Sequence, residues 1–91
     1  MTRRHATAVI RSIAANVRAL RLEQGLTQEA LAERADLEKS YLQKIERASP
    51  NLSVETLVAL ADALRVAPER LLTPTKMEPR AVGRPRRRAP E

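Results

Sequence analysis

Thr27–Arg47, TQEALAERADLEKSYLQKIER, is the stretch on which the reading of the whole chain depends. It predicts two short helices meeting at a tight corner. The first runs from about Gln28 to Ala35, with Thr27 as an N-cap whose hydroxyl accepts from an orphan backbone N–H of the first turn. It turns Leu31 and Ala32 inward. The corner falls at Asp36 and Leu37, where a short polar residue that tolerates the left-handed conformation precedes an apolar residue that can tuck underneath. A second helix begins near Lys39. In it Leu42 and Ile45, three apart, share the inner face, which leaves Lys39, Ser40, Gln43 and Lys44 on the outer one. That outer face is polar and nearly free of acid.

Upstream, a helix is expected from about Ala8 to Gln24, with Ile10, Ile13, Val17 and Leu20 as its buried stripe and Arg11, Arg18 and Arg21 flanking it. Gly25 ends it by supplying a left-handed C-cap, and Leu26 packs back on the bundle. Residues 1–7 read as a flexible, basic lead-in. Downstream, Ser-Pro-Asn marks a loop over Ala48 to Leu52. Ser53 then caps a fourth helix reaching about Leu64, with Leu57, Leu60, Ala61 and Leu64 inward, and Pro68 opens a short fifth helix ending near Leu72. The expected architecture is an all-α five-helix bundle over residues 8–72. From residue 73 to residue 91 the chain holds four prolines, little apolar content and a GRPRRR run, a composition that cannot offset the entropy of ordering its backbone. It is expected to be a disordered tail.

Ninety-one residues suffice for one small domain. With 43% hydrophobic residues but one Tyr and no Phe or Trp, the core must be aliphatic, and no stretch alternates like a strand. Cysteine is absent, which removes disulfides, thiolate metal sites and thiolate nucleophiles. The single histidine, His5, lies in the lead-in, and the carboxylates are scattered with no glycine-rich loop nearby, so no enzyme, metal or cofactor is expected. No segment is long and apolar enough to span a membrane, and a cytoplasmic protein is expected. The net charge of +6 favours a polyanionic partner. Its distribution is uneven: residues 1–72 carry 11 Lys and Arg against 9 Asp and Glu, whereas residues 73–91 carry 6 against 2.

Two such helices joined by a short turn have the layout of a helix-turn-helix unit, whose second helix enters the major groove of DNA. The residues carry a resemblance as well. Gly25-Leu26-Thr27-Gln28, Glu29-Ala30-Leu31-Ala32 and Ser40-Tyr41-Leu42-Gln43-Lys44-Ile45-Glu46-Arg47 resemble the lambda-repressor-like helix-turn-helix family, the Cro and phage-repressor type. The likeness runs from about Ile13 to Leu72, and among its branches the short single-domain regulators, including restriction-modification controller proteins, look closest. It implies a transcriptional regulator that binds double-stranded DNA as a homodimer. By the same resemblance Lys39, Ser40, Gln43 and Lys44 face the bases, with Tyr41 at the edge. Their chemistry suits this, since Lys donates to guanine O6 and N7 and Gln pairs with adenine N6 and N7.

The resemblance also implies phosphate contacts from Thr27 and Gln28 at the start of the first motif helix, and from Arg47, Ser49 and Asn51 after the second. Glu46 would turn inward and pair with Arg21. Four positions depart from the family pattern: Glu38 stands where Ser or Thr usually caps the second motif helix, Ala48 and Arg65 stand where glycines are usual, and Pro50 is unusual in the loop. Val54, Val58, Val66, Leu71 and Leu72 are more apolar surface than the last helices need, and mark the expected dimer face. In the tail, Gly83-Arg84-Pro85 with Arg86, Arg87 and Arg88 resembles an AT-hook, although Val82 replaces the usual preceding arginine. A purely electrostatic contribution from the same residues is the other reading. The tail also leaves room for a second function, an antitoxin-like module that binds a toxin or other protein while regulating its own operator.

Overall fold

The computed structural model describes residues 3–74, the side chains of Arg3 and Arg4 excepted. Five helices follow one another: α1 (Arg3–Glu23), α2 (Gln28–Ala35), α3 (Lys39–Glu46), α4 (Val54–Leu64) and α5 (Pro68–Leu72). No strand occurs among the described residues. Every helix sends at least one aliphatic side chain into a single core: Val17, Leu31, Leu42, Leu60 with Leu64, and Leu71 are all fully buried. Burying a leucine or valine fully is worth roughly 1.5 to 3 kcal/mol, so these residues hold the five short elements together. Helix α1 is the common support. It packs against α3, α4 and α5, while α2 packs against α3 and α4.

The caps act as the residue types dictate. Thr27 Oγ1 accepts from Ala30 N–H at 2.9 Å, Ser53 Oγ accepts from Thr56 N–H at 3.1 Å, and Pro68 occupies the first turn of α5. Glu38 takes the extended N-cap conformation of α3 without a side-chain hydrogen bond, so its carboxylate helps only through the helix dipole.

Four helix ends use one device. In each, a residue with positive φ reverses the chain, and the following N–H reaches back to the carbonyl five residues before it. The bonds are Leu26 to Arg21, Leu37 to Ala32, Ser49 to Lys44 and Val66 to Ala61, at 2.8 to 3.0 Å. The reversing residues are Gly25, Asp36, Ala48 and Arg65, with φ from 60° to 71°. Only one is glycine. Leu26, Leu37 and Val66 then fold back onto the core. A non-glycine residue in this conformation costs roughly 1 to 2 kcal/mol. Ala48→Gly and Arg65→Gly should therefore each raise stability by about 0.5 to 1 kcal/mol after the added unfolded-chain entropy is deducted. Urea denaturation checks this, and an unchanged midpoint for both variants would mean that the positions carry no strain.

Two expectations are corrected. The lead-in is helical from Arg3, five residues before the expected start of α1. The apolar stripe that signals α1 begins at Ile10, and the exposed turns before it bury nothing that would reveal a period, yet residues 3–9 contain no glycine or proline to stop a helix. Thr73, expected as the first residue of the tail, is tied to the domain: its carbonyl accepts from Asn16 Nδ2 at 2.8 Å. The rest of the tail from residue 75, with Arg84, Arg86, Arg87 and Arg88, lies outside the described residues.

Candidate nucleic-acid interface

Helix α3 forms a ridge with an apolar underside and a polar crest. Leu42 and Ile45 are buried below; Lys39, Ser40, Lys44 and Arg47 are exposed, and Gln43 is half-buried beside them. The crest therefore holds the residues singled out in the sequence, presented together, and the one acid of α3, Glu46, is buried beneath it. Lys39 has one loose partner, Glu29 of α2, at 3.5 Å, with both side chains largely exposed. Such a pair is worth at most about 1 kcal/mol and can be exchanged for a stronger anion.

What fixes the ridge lies beneath it. Glu46 is buried, and its carboxylate accepts from Arg21 Nε at 2.7 Å, Arg21 Nη2 at 3.0 Å and Gln28 Nε2 at 3.0 Å. Arg21 also donates through Nη1 to the Leu26 carbonyl at 2.9 Å. Three helices thus meet on one carboxylate: α1 through Arg21, α2 through Gln28 and α3 through Glu46. The bidentate fork suits guanidinium against carboxylate, and it sets the orientation of α3 relative to the other two. Gln28, expected at the phosphates, has one N–H committed to this brace, and its side-chain carbonyl has no partner among the described residues.

On either side of the ridge runs a cleft. One, of about 430 Å³, is lined by Tyr41, Lys44, Ile45, Arg47, Ser49 and Asn51. Here Tyr41, expected at the edge of the base-reading face, donates its hydroxyl to the Asn51 carbonyl at 2.8 Å and holds the loop against α3. Exposed Asn51 and half-buried Ser49 are placed on the flank of the ridge rather than on its crest. The other cleft, of about 570 Å³, opens between α1, α2 and α3, with Thr27, Gln28, Lys39 and Gln43 on its walls and Arg18 on its α1 side. Arg47 lines both clefts. Thr27 uses a lone pair on the Ala30 N–H and keeps its own proton to donate.

These features are those of a helix-turn-helix, and residues 17–71 match the helix-turn-helix family. The chain belongs to that family. Among its relatives, an uncharacterised helix-turn-helix-type transcriptional regulator of Sinorhizobium fredii is 42% identical over 67 residues, 74% of this chain and 87% of that protein. The control protein C.SmaI of Serratia marcescens is 41% identical over 61 residues, 67% of this chain and 73% of its own length. The crystal structure of a hypothetical transcription factor from Neisseria superposes with a TM-score of 0.73 at 31% identity, covering 78% of this chain and 82% of that one. This helix-turn-helix domain therefore has the fold expected from its sequence.

Two polar residues escaped the sequence reading. Asn16 is buried in α1 and donates to the carbonyls of Leu71 and Thr73 at 2.9 and 2.8 Å, satisfying the end of α5. Gln24 donates to the Leu64 carbonyl at 2.9 Å, where α4 ends. A signal for Asn16 existed: it stands three residues after Ile13 and four before Leu20, on the apolar stripe itself. An amide there needs a buried partner.

Proposed function

We propose that this protein is a sequence-specific, double-stranded DNA-binding transcriptional regulator that acts as a homodimer in the cytoplasm and reads the major groove with α3. The observation that carries the reading is the polar crest of Lys39, Ser40, Gln43 and Lys44, whose one helical acid, Glu46, is buried and neutralised, mounted on a helix whose orientation is fixed by the Arg21–Glu46–Gln28 brace. Base reading requires side chains held in register with base edges, and a helix clamped to two others supplies that register. A related arrangement has been seen on DNA. The restriction-modification controller protein C.Esp1396I, 29% identical with a TM-score of 0.62 over 71% of this chain and 96% of that one, was solved as a tetramer on its natural 35 base-pair operator.

In this reading Lys39, Ser40, Gln43 and Lys44 specify the sequence, with Tyr41 holding the loop beside them. Thr27, Gln28, Arg47, Ser49 and Asn51 seat the backbone and carry no sequence information of their own. A single short helix distinguishes only a few base pairs. Two-fold symmetry places two such helices about 34 Å apart, one turn of DNA, and the site becomes near-palindromic. The exposed Val54, Val58 and Leu72 supply the apolar surface for that pairing.

Selection of duplexes from a random pool by the purified protein tests the reading. A near-palindromic consensus is the expected result. Gln43→Ala should relax preference at one or two positions, a loss of about 1 to 3 kcal/mol of discrimination, whereas Arg47→Ala should weaken operator and random duplexes alike. An equal loss on both kinds of duplex for Gln43→Ala would remove it from the reading face.

A further inference from the structure

Arg18 takes no part in the fold or in the reading face derived above. It precedes Arg21 by three residues, so both lie on one side of α1, and both line the cleft between α1, α2 and α3. Their circumstances differ sharply. Arg21 is buried and committed to Glu46 and the Leu26 carbonyl. Arg18 is exposed, and among the described residues its side chain has neither a hydrogen bond nor an ion pair. The charges around the cleft resolve accordingly. Glu46 offsets Arg21 and Glu29 offsets Lys39, which leaves Arg18 on α1 and Arg47 at the end of α3 as the uncompensated cations.

We propose that this cleft seats one strand of the DNA backbone and that Arg18 is a phosphate ligand on its α1 wall. The proposal rests on the DNA-reading function above and adds a contact to it. A helix with its side chains is about 10 to 12 Å across, and the major groove is about 12 Å wide. A helix lying in the groove fills it, so the two strands bounding the groove run against whatever bounds the helix. Here α3 is bounded by two clefts. The first offers Lys44, Ser49 and Asn51 to one strand. The second offers the other strand Thr27 and Gln28, both neutral, with Gln28 partly committed to Glu46. Lys39 must first leave Glu29. Arg47 is shared between the two clefts at the end of α3, and Arg18 supplies the free charge that the α1 wall of the second cleft otherwise lacks, Arg21 being committed to Glu46. Its planar fork matches two phosphate oxygens, and it gives up no protein partner in binding them.

The test measures affinity for the selected operator and for a random duplex across a salt series, using the full chain and its Arg18→Ala and Arg18→Lys variants. Arg18→Ala should weaken binding to both duplexes about tenfold near 0.1 M salt and lower the slope of log affinity against log salt by about 0.9 per protomer. The selected consensus should stay the same. Arg18→Lys should restore the slope, which a merely structural role would not require. Unchanged affinity and slope in Arg18→Ala would overturn the proposal while leaving the reading face standing, as would a loss confined to the operator. Wild-type protein that retains no duplex would overturn the proposal together with the function beneath it.

Discussion

Glu46→Ala should destabilise the domain by about 3 to 5 kcal/mol, the range for breaking a buried ion pair by removing one partner. Glu46 is 8% exposed and its carboxylate accepts three charged or amide N–H groups, so its removal strands Arg21, also 8% exposed, with only the Leu26 carbonyl. A loss of this size is a large fraction of what a small domain possesses. Urea or thermal denaturation reads it directly. The double variant Arg21→Met with Glu46→Leu should recover most of the stability, because apolar residues of similar volume avoid the desolvation of both charges. Its DNA binding should stay impaired, since the directional brace between α1, α2 and α3 is gone. A loss under about 1 kcal/mol for Glu46→Ala would place the pair in the class of solvated surface bridges.

Leu71 and Leu72 are neighbours in the chain with opposite fates. Leu71 was expected on the dimer face, but it is 0% exposed and lies in the core, whereas Leu72 is 41% exposed. Val66 likewise packs against the core. The proposed dimer face thereby narrows to Leu72 with Val54 and Val58, which are four apart on α4 and share one side of it. Leu72→Glu should yield a folded monomer with operator affinity reduced on the order of a hundredfold, the avidity lost when two linked half-site contacts become independent. Leu71→Glu should instead fail to fold, because it places a carboxylate where no partner exists. Sedimentation and helical content separate the two outcomes. A Leu72→Glu protein that remains dimeric would move the interface off this surface.

The fold was legible because its signals are local. Thr27, Ser53 and Pro68 begin helices where their chemistry allows, and Asp36 and Arg65 reverse the chain where the apolar periods break. The polar crest of α3 was legible for the same reason, since burying Leu42 and Ile45 turns Lys39, Ser40, Gln43 and Lys44 away from the core. The missed features depend on partners far along the chain. Asn16 is explained only by Leu71 and Thr73, and Gln24 only by Leu64. Whether Leu71 or Leu72 faces inward depends on the azimuth of a five-residue helix, too short for a period to declare itself. The dual position of Tyr41, ring against the core and hydroxyl on the loop, required the loop's path.

The bond from Asn16 to Leu71 and Thr73 also fixes an order of events during synthesis. A ribosome adds about 5 to 20 residues per second, so several seconds separate the making of Asn16 from that of its acceptors. Throughout that interval the side of α1 destined for α5 has no cover, and its amide has only water to bond. Helical domains of this size usually close through near neighbours. Among the described residues the seam between α1 and α5 joins the two helices farthest apart in sequence, so the nascent chain carries an open apolar flank on α1 until α5 arrives.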